Sequence, residues 1–307
     1  MRKVLSTLGF VGFAFIVIVI GRYVIVAQDV VTGEWRADAR PERQDKEDRD
    51  KIHISFERTS SKWGHNQSGD SYSYNDLQGL TREQAQNWNV TFRLVREAGT
   101  VECRGSFANG KGSGTFRFTP SAGFIDAMRT RGFDFTKASS RHSDADPDNR
   151  LFAAALINVT TALADDLRSN FPNSDADDLF KAAIFKIDSR FMAEMKATGF
   201  PNLQMEDLVK ARIFKIDADY VRQVREMGFD SRDFESLVKF RIFKVTPEFL
   251  SQLKAEGFSN LEPEEVVKFR IFNIDTDFIR KAKAENPNVT VEDLVRMKIG
   301  VYRRSDD

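Results

Sequence analysis

The sequence predicts an α+β protein in which a small antiparallel β domain is followed by an α-helical solenoid of two-helix repeats. A short line, "IFK" or "IFN", recurs every 29 residues in the second half of the chain. A period of about 20–50 residues is typical of stacked supersecondary units. The middle of the chain instead alternates apolar and polar residues and contains hairpin signals, as antiparallel strands do. An apolar segment at the amino terminus completes the outline.

These patterns divide the chain of 307 residues into three parts. We expect a signal peptide or signal anchor at 1–28, an antiparallel β domain at 29–119 and a repeat array at 120–305, with an inserted loop at 134–149. The 46 basic and 46 acidic side chains balance. No whole-protein field therefore attracts DNA or RNA, and we expect no nucleic-acid partner.

The amino terminus indicates export. Arg2 and Lys3 precede a short apolar run, which is the pattern of a cleaved secretory signal. The run from Val4 to Val26 is also long enough to cross a bilayer as an uncleaved anchor, and both alternatives stay open. Either one places the rest of the chain outside the cytoplasm, in the periplasm or on the outer face of the inner membrane. Membrane contact is expected only if the segment is uncleaved.

Alternating segments at 51–60, 89–97, 100–107 and 112–119 predict four antiparallel strands. Asn109-Gly110 predicts a type I′ hairpin turn between the last two, because both central residues take positive φ. The consecutive hairpins indicate a meander that the 51–60 strand joins.

The remaining β-domain sequence predicts loops: a charged, solvated loop at 37–50 and a long loop at 61–86 with a short helical turn after Thr81. The single cysteine, Cys103, excludes an internal disulfide framework. It lies in a predicted strand, so we expect a small buried side chain.

Each repeat predicts two helices. In the first, Thr246 is a natural N-cap, Pro247 suits the first helical position, and Gly257 suits the left-handed C-terminal stop. Aspartates replace that threonine in three copies: Asp188, Asp217 and Asp275. The second helix carries an apolar seam with one basic residue, as in Val266, Val267, Arg270 and Ile271. Degenerate copies at 118–133, 150–159 and 289–300 bring the number of units to five or six.

The repeated charges allow two interpretations. Glutamate precedes lysine by four residues in most second helices, which predicts an exposed ladder of salt bridges. Arg212, Arg241 and Arg270 have no acidic residue four positions earlier. Each arginine could pair with an acidic residue of the next unit. Alternatively, they form a basic row that receives an acidic peptide or polymer. This candidate partner-binding row comprises Arg212, Arg241, Arg270, Lys186, Lys215 and Lys244. The phenylalanines at 185, 214, 243 and 272 are expected between the repeats.

Nothing in the sequence indicates catalysis. The three histidines have no second ligand at metal-binding spacing, and no nucleophile motif occurs. We therefore expect no catalytic residue, no metal and no cofactor. A cell-wall or carbohydrate-binding module remains an alternative, as does, less favoured, an enzyme of unknown class. Carbohydrate binding would use exposed aromatic side chains, for which the candidates are Trp35, Trp63, Trp88, Tyr72 and Tyr74.

The repeat pattern "LVKFRIF" (237–243), "TPEF" (246–249) and "LKAEGF" (253–258) resembles tracts in the extracytoplasmic regions of bacterial proteins related to membrane metallopeptidases of the β-lactam-sensor type. The preceding "ISFERTS" (54–60) and "VTFRLVREAGTVECRGSF" (90–107) are similar to the β region before those tracts. The chain lacks the zinc motif and the multi-span domain of the protease members. The resemblance thus implies an envelope sensor or adaptor that binds a protein or peptide, and no catalytic residue is carried over.

Overall fold

The computed structural model describes residues 31–39, 50–60, 64–135, 147–200, 202–226, 228 and 233–300. The amino-terminal segment interpreted as a signal or anchor lies outside these residues, as does most of the predicted 134–149 loop. None of the helices in the described ranges combines the length and the apolar character that a bilayer crossing needs.

The first half of the molecule is a seven-stranded antiparallel sheet, as the α+β prediction requires. Its strands in chain order are β1 (Val31–Asp38), β2 (Lys51–Ser60), β3 (Gly64–Ser73), β4 (Leu77–Gln78), β5 (Asn89–Arg96), β6 (Gly99–Ala108) and β7 (Lys111–Pro120). The spatial order is β3-β2-β1-β7-β6-β5-β4, so β3 and β4 form the two edges. The sheet is curled.

One face of the sheet is apolar and buried, and alternation along each strand explains why. Trp35, Phe56, Phe92 and Phe118 are at most 2% exposed on this inner face. Glycines make room for the rings: a Cβ on Gly105 would lie 2.7 Å from the Trp35 ring. Cys103 is a free, buried thiol on the same face, as expected. Burial raises the pKa of this thiol, so it stays protonated.

The four predicted strands are present, and Asn109 and Gly110 both have positive φ at the predicted turn. The predicted loops at 37–50 and 61–86 were partly wrong. Strand β3 occupies 64–73, and β1 extends to Asp38. Only part of the inner face of β3 is covered, and the strand consists mostly of glycine and polar residues. Its sequence therefore lacks the alternation of apolar and polar residues by which a half-buried strand is recognised. The helical turn after Thr81 is α1 (Gln84–Asn87).

The described residues of the second half form twelve further helices, arranged as six consecutive pairs. The first helices of the pairs are α2 (Ala122–Thr130), α4 (Thr161–Asn170), α6 (Ser189–Ala197), α8 (Ala218–Glu226), α10 (Pro247–Ala255) and α12 (Thr276–Glu285). The second helices are α3 (Pro147–Leu156), α5 (Ala176–Ile184), α7 (Met205–Ile213), α9 (Phe234–Ile242), α11 (Pro263–Ile271) and α13 (Val291–Lys298). First helices contact first helices of the next pair from α2 to α8, and second helices contact second helices from α5 to α13, as in stacked helical repeats.

Local signals place the helix ends where the sequence predicted them. The side chains of Asp188, Asp217, Thr246 and Asp275 accept hydrogen bonds from the third backbone N–H after the cap. The predicted stops have positive φ, as at Gly257. The degenerate copies are helical pairs as well, and β7 leads directly into α2.

Helix α3 joins the sheet to the array. Its Phe152 lies on the inner face of the sheet, with ring-centroid distances of 5.1 Å to Phe116, 5.3 Å to Phe118 and 5.9 Å to Phe56. The buried side chains of the sheet and of the array consequently form one continuous core. The second helix of the first pair thus also covers the sheet.

Candidate partner-binding surface

Short turns connect the second helix of each pair to the first helix of the next, and together they form what we name the turn edge: 184–188, 213–217, 242–246 and 271–275, with Ile299 and Gly300 at the end of the array. In Phe214–Asp217, the phenylalanine ends one helix, Lys215 has positive φ, Ile216 is buried and the aspartate caps the next helix. The other turns repeat this arrangement.

The turn edge exposes one large apolar side chain per repeat. Ile184, Ile213, Ile242, Ile271 and Ile299 are 48–55% exposed. This position was predicted to belong to an apolar seam, and that prediction was wrong. The buried side chains of α11 are Val266, Val267 and Phe269, and Ile271 follows on the far side of the helix from the centre of that cluster. The second helices carry apolar residues on more than one side, and these cannot all face one neighbouring helix. This distribution in the sequence could have indicated that one apolar position per repeat stays exposed.

The arginines of the predicted row connect consecutive repeats. Arg212 donates to the Lys186 carbonyl at 2.6 Å, and its guanidinium lies 3.7 Å from the centre of the Phe191 ring. The same two contacts are repeated by Arg241, with the Lys215 carbonyl and Tyr220, and by Arg270, with the Lys244 carbonyl and Phe249. The expectation of an acidic partner in the next unit was therefore wrong: each arginine contacts an aromatic ring in the first helix of its own pair and a backbone oxygen of the turn that precedes this helix.

The glutamates and lysines also connect repeats. The sequence spacing predicted salt bridges between a glutamate and a lysine four residues apart in one helix. In the structure, the salt bridges instead link each lysine to the glutamate of the following second helix. They are Lys181–Glu206, Lys210–Glu235, Lys239–Glu264 and Lys268–Glu292. A hydrogen bond from Lys239 lowers the pKa of Glu264. These pairs are largely exposed and contribute little to stability individually.

A further set of contacts lies at the opposite ends of the first helices. There the phenylalanine after the helix stop receives a basic side chain from the next pair: Arg168 lies 4.3 Å from the Phe133 ring, Arg225 5.5 Å from Phe200 and Lys283 4.9 Å from Phe258. The phenylalanines of the "IFK" lines, at 185, 214, 243 and 272, are half-buried against the core, as expected. Most repeated charges and rings therefore hold repeats together.

Three repeated cations remain available. Lys186, Lys215 and Lys244 are exposed, and none forms a salt bridge with another described residue. Each has φ between 51° and 53°, a left-handed conformation that costs an L-residue about 1–2 kcal/mol. Asn158, Asn273 and Gly300 have positive φ at the equivalent positions and tolerate it better. The turn edge therefore combines exposed isoleucines with lysines in an unfavourable backbone conformation.

The four described aromatic candidates of the β domain differ in exposure and do not form a common exposed platform. Trp35 and Tyr72 are buried, Tyr74 is half-buried and Trp88 is 63% exposed, while Trp63 lies outside the described residues. In the described part of the chain, no three His, Cys, Asp or Glu side chains are grouped so that they could hold a metal ion.

Comparisons with protein-family models, curated proteins and solved structures find no match for this chain.

Proposed function

We propose that this chain is a non-catalytic binding protein whose turn edge holds a polypeptide carrying acidic and apolar side chains. The observation that supports the proposal is the row of half-exposed isoleucines: Ile184, Ile213, Ile242 and Ile271 each end a second helix, and Ile299 directly follows the last one. Contiguous exposed apolar surface is typical of protein interaction sites. The proposal takes the amino-terminal apolar segment as an export signal, on its sequence pattern alone, and so assigns this surface to an adaptor or sensor of the cell envelope.

The isoleucines contribute to affinity through burial of apolar surface, which does not require one particular amino-acid sequence in the partner. Covering the exposed half of one isoleucine side chain stabilises a complex by roughly 1 kcal/mol. One such contact per repeat favours a partner that runs along the array, because successive repeats present the same side chain at regular intervals. A long polypeptide with spaced apolar residues meets this requirement better than a small ligand does.

The lysines determine the charge of the partner. Lys186, Lys215 and Lys244 lie in the same turns as the isoleucine row and have no salt bridge to a described residue. Carboxylates of a partner would supply the missing counter-charges, and opposite charge at the rim of an interface accelerates association. The arginines of the originally predicted row have a different role in this proposal: they connect the repeats and so fix the spacing between lysines.

The test is a selection of random peptides displayed on phage, with the full chain as the target. We expect enrichment of acidic peptides with spaced apolar residues. An enriched peptide, made synthetically, should bind the wild-type chain in fluorescence anisotropy. The variant Lys186→Glu/Lys215→Glu/Lys244→Glu should weaken binding by at least about tenfold, and Ile213→Ser/Ile242→Ser should have a comparable effect.

Matched controls separate the turn edge from general effects of charge and hydrophobicity. Lys111→Glu/Lys254→Glu/Lys281→Glu makes the same charge change at exposed positions away from the edge, and Val95→Ser removes a 43%-exposed valine from the sheet. Both should bind as the wild type does. Equal losses in test and control variants, or a selection that enriches no peptide, would overturn the proposal.

A further inference from the structure

Strand β3 ends the sheet with an open edge. It pairs with β2 from Lys51↔Ser73 to Ser60↔Gly64, and no other described strand pairs with its outer side. Edge strands of this length are usually blunted by proline, lysine or a bulge. Strand β3, "GHNQSGDSYS", contains neither proline nor lysine. One main-chain donor of β3 is occupied within the strand: the Asp70 carboxylate accepts a hydrogen bond from the Ser71 N–H at 2.7 Å.

Two hydrogen bonds show which residues of β3 face the open edge. The N–H of Tyr74, just beyond the strand, donates towards β2, to the Asp50 carbonyl, whereas the N–H of Ser71 goes to a side chain. Because bonded and outward-facing residues alternate in an antiparallel pair, Gln67 and Gly69 face outward together with Ser71. Their main-chain groups are directed at whatever lies beside β3.

A cleft of about 960 Å³ lies beside this edge. The sheet side is lined by 67–72, and the helical side by 156–158 at the end of α3 and by 182–188 around the first turn of the turn edge. Ile184 and Lys186 therefore belong both to the turn edge and to the cleft. A polypeptide lying along the turn edge reaches β3 without leaving the protein surface.

Two buried polar atoms among the residues that line the cleft have no partner. Tyr72 is 4% exposed, and its hydroxyl forms no hydrogen bond; the same is true of Arg96 Nε. The other guanidinium nitrogens of Arg96 bind Asp76 at 3.2 Å. Burial raises the pKa of Tyr72, so its hydroxyl stays protonated and can donate. Buried polar groups without a hydrogen-bond partner are rare in folded proteins. The Tyr72 hydroxyl and Arg96 Nε–H can both donate, so an oxygen acceptor would satisfy each of them.

We propose that the cleft takes an extended segment of the partner polypeptide, which pairs with β3 as an added strand and presents an oxygen acceptor to Tyr72 and Arg96. Addition of a strand to a sheet edge is a common mode of peptide recognition. This inference rests on the proposed function, which makes the partner a polypeptide. It adds that part of the partner is extended and that the partner contacts β3 as well as the turn edge.

Gln67→Pro tests the strand addition. Proline removes an outward-facing N–H from β3 without removing a bond to β2, which is the position where edge strands accept it. Gln67→Ala is the matched control, because it shortens the side chain and keeps the N–H. Tyr72→Phe removes only the hydroxyl that lacks a partner, so the sheet core should fold at least as well.

The phage selection is run in parallel on the wild-type chain, Gln67→Pro, Gln67→Ala, Tyr72→Phe and the triple lysine-to-glutamate variant. A peptide enriched on the wild type should bind Gln67→Pro and Tyr72→Phe about tenfold more weakly and Gln67→Ala unchanged. Methylation of alternate main-chain nitrogens of that peptide should also weaken its binding to the wild type.

The outcomes separate the two proposals. Peptides that require the lysines but bind Gln67→Pro and Tyr72→Phe normally would overturn strand addition alone. Peptides that require Gln67 N–H and Tyr72 but not the lysines would support strand addition and overturn the turn-edge proposal. Enrichment on none of the targets would overturn both. A wild-type dimer in analytical ultracentrifugation that becomes monomeric in Gln67→Pro would replace the polypeptide partner with a second copy of the chain.

Discussion

The sheet and the repeat array bury their apolar residues in different ways. In the sheet, strands distant in sequence share one inner face, and rings such as Trp35 and Phe118 are fully enclosed. In the array, apart from the contact of α3 with the sheet, pairs of helices pack mainly on neighbouring pairs, and a repeat of 29 residues recurs along them. The isoleucine of each turn stays half exposed. In the array, local and repeated contacts thus leave a large apolar side chain exposed at regular intervals, whereas the exposed Trp88 and Val95 of the β domain do not recur.

The polar contacts follow the same division. Inside the sheet, Trp35 Nε1 donates to the Arg104 carbonyl at 3.2 Å, and the neighbouring contacts are apolar. In the array, arginine–ring contacts within a pair, lysine–glutamate pairs between repeats and capping aspartates at helix starts predominate. Such contacts fix the orientation of neighbours at a modest free energy each, so the stability of the array is a sum of many small interfaces.

The largest effect is expected where the two regions meet. Phe152→Ala removes the ring that packs on Phe116 and Phe118, and we expect a loss of about 3–5 kcal/mol in the free energy of unfolding. Urea denaturation measures this loss. The background variant is Trp63→Phe/Trp88→Phe, so that the fluorescence of Trp35 reports on unfolding of the sheet, while far-UV circular dichroism reports on the helices.

Phe278→Ala, at a half-buried position in the last pair, is the control for that change. Its loss should be clearly smaller. Coincident transitions by both probes would mean that sheet and array unfold as one unit, whereas a Phe152→Ala variant as stable as Phe278→Ala would contradict the role of α3 as the joint.

A smaller effect is expected within the array. Arg270→Ala removes a guanidinium that contacts the Phe249 ring and the Lys244 carbonyl, and it should lower the free energy of unfolding by about 1–2 kcal/mol. Arg270→Lys should lose less, because Lys298 already occupies the corresponding position over Phe278. If both variants were as stable as the wild type, the arginines would not connect the repeats, and their role as a binding row would regain support.

The smallest effect is a gain. Lys215→Gly relieves a left-handed conformation at φ 53°, and after the entropy that glycine adds to the unfolded chain we expect about 0.5 kcal/mol of stabilisation. Asn273→Gly should change little, because asparagine tolerates this conformation. Thermal and urea unfolding of both variants checks this. A destabilised Lys215→Gly would mean that the lysine side chain contributes to the folded turn and is not held there at a cost.

Much of the array was predictable because its signals are local. A cap, a proline at the first turn and a glycine stop act within a few residues, so Thr246, Pro247 and Gly257 located helix ends correctly. The sheet was less predictable. Strand β3 has no apolar alternation, because Ser68 and Asp70 lie beside the open cleft, and a strand without a buried face leaves no periodic signal.

The candidate site was predicted only in part. The sequence singled out Lys186, Lys215 and Lys244, but it grouped them with the arginines and placed the isoleucines in one apolar seam with Val266 and Val267. A one-dimensional pattern shows that Arg241 recurs with the repeat. It does not show that Tyr220, in the first helix of the same pair, lies 3.6 Å from the guanidinium.

By itself, the sequence determined the α+β organisation, the period of the repeats, the ends of most helices and the lack of an overall charge. The tertiary structure alone decided which side of each second helix meets a neighbour, which cations are occupied between repeats and that β3 borders a cleft. The physical reason is the range of the interactions. Backbone preferences and caps act along the chain, whereas the exposure of Ile213 or the partner of Arg212 depends on how one repeat stacks on the next.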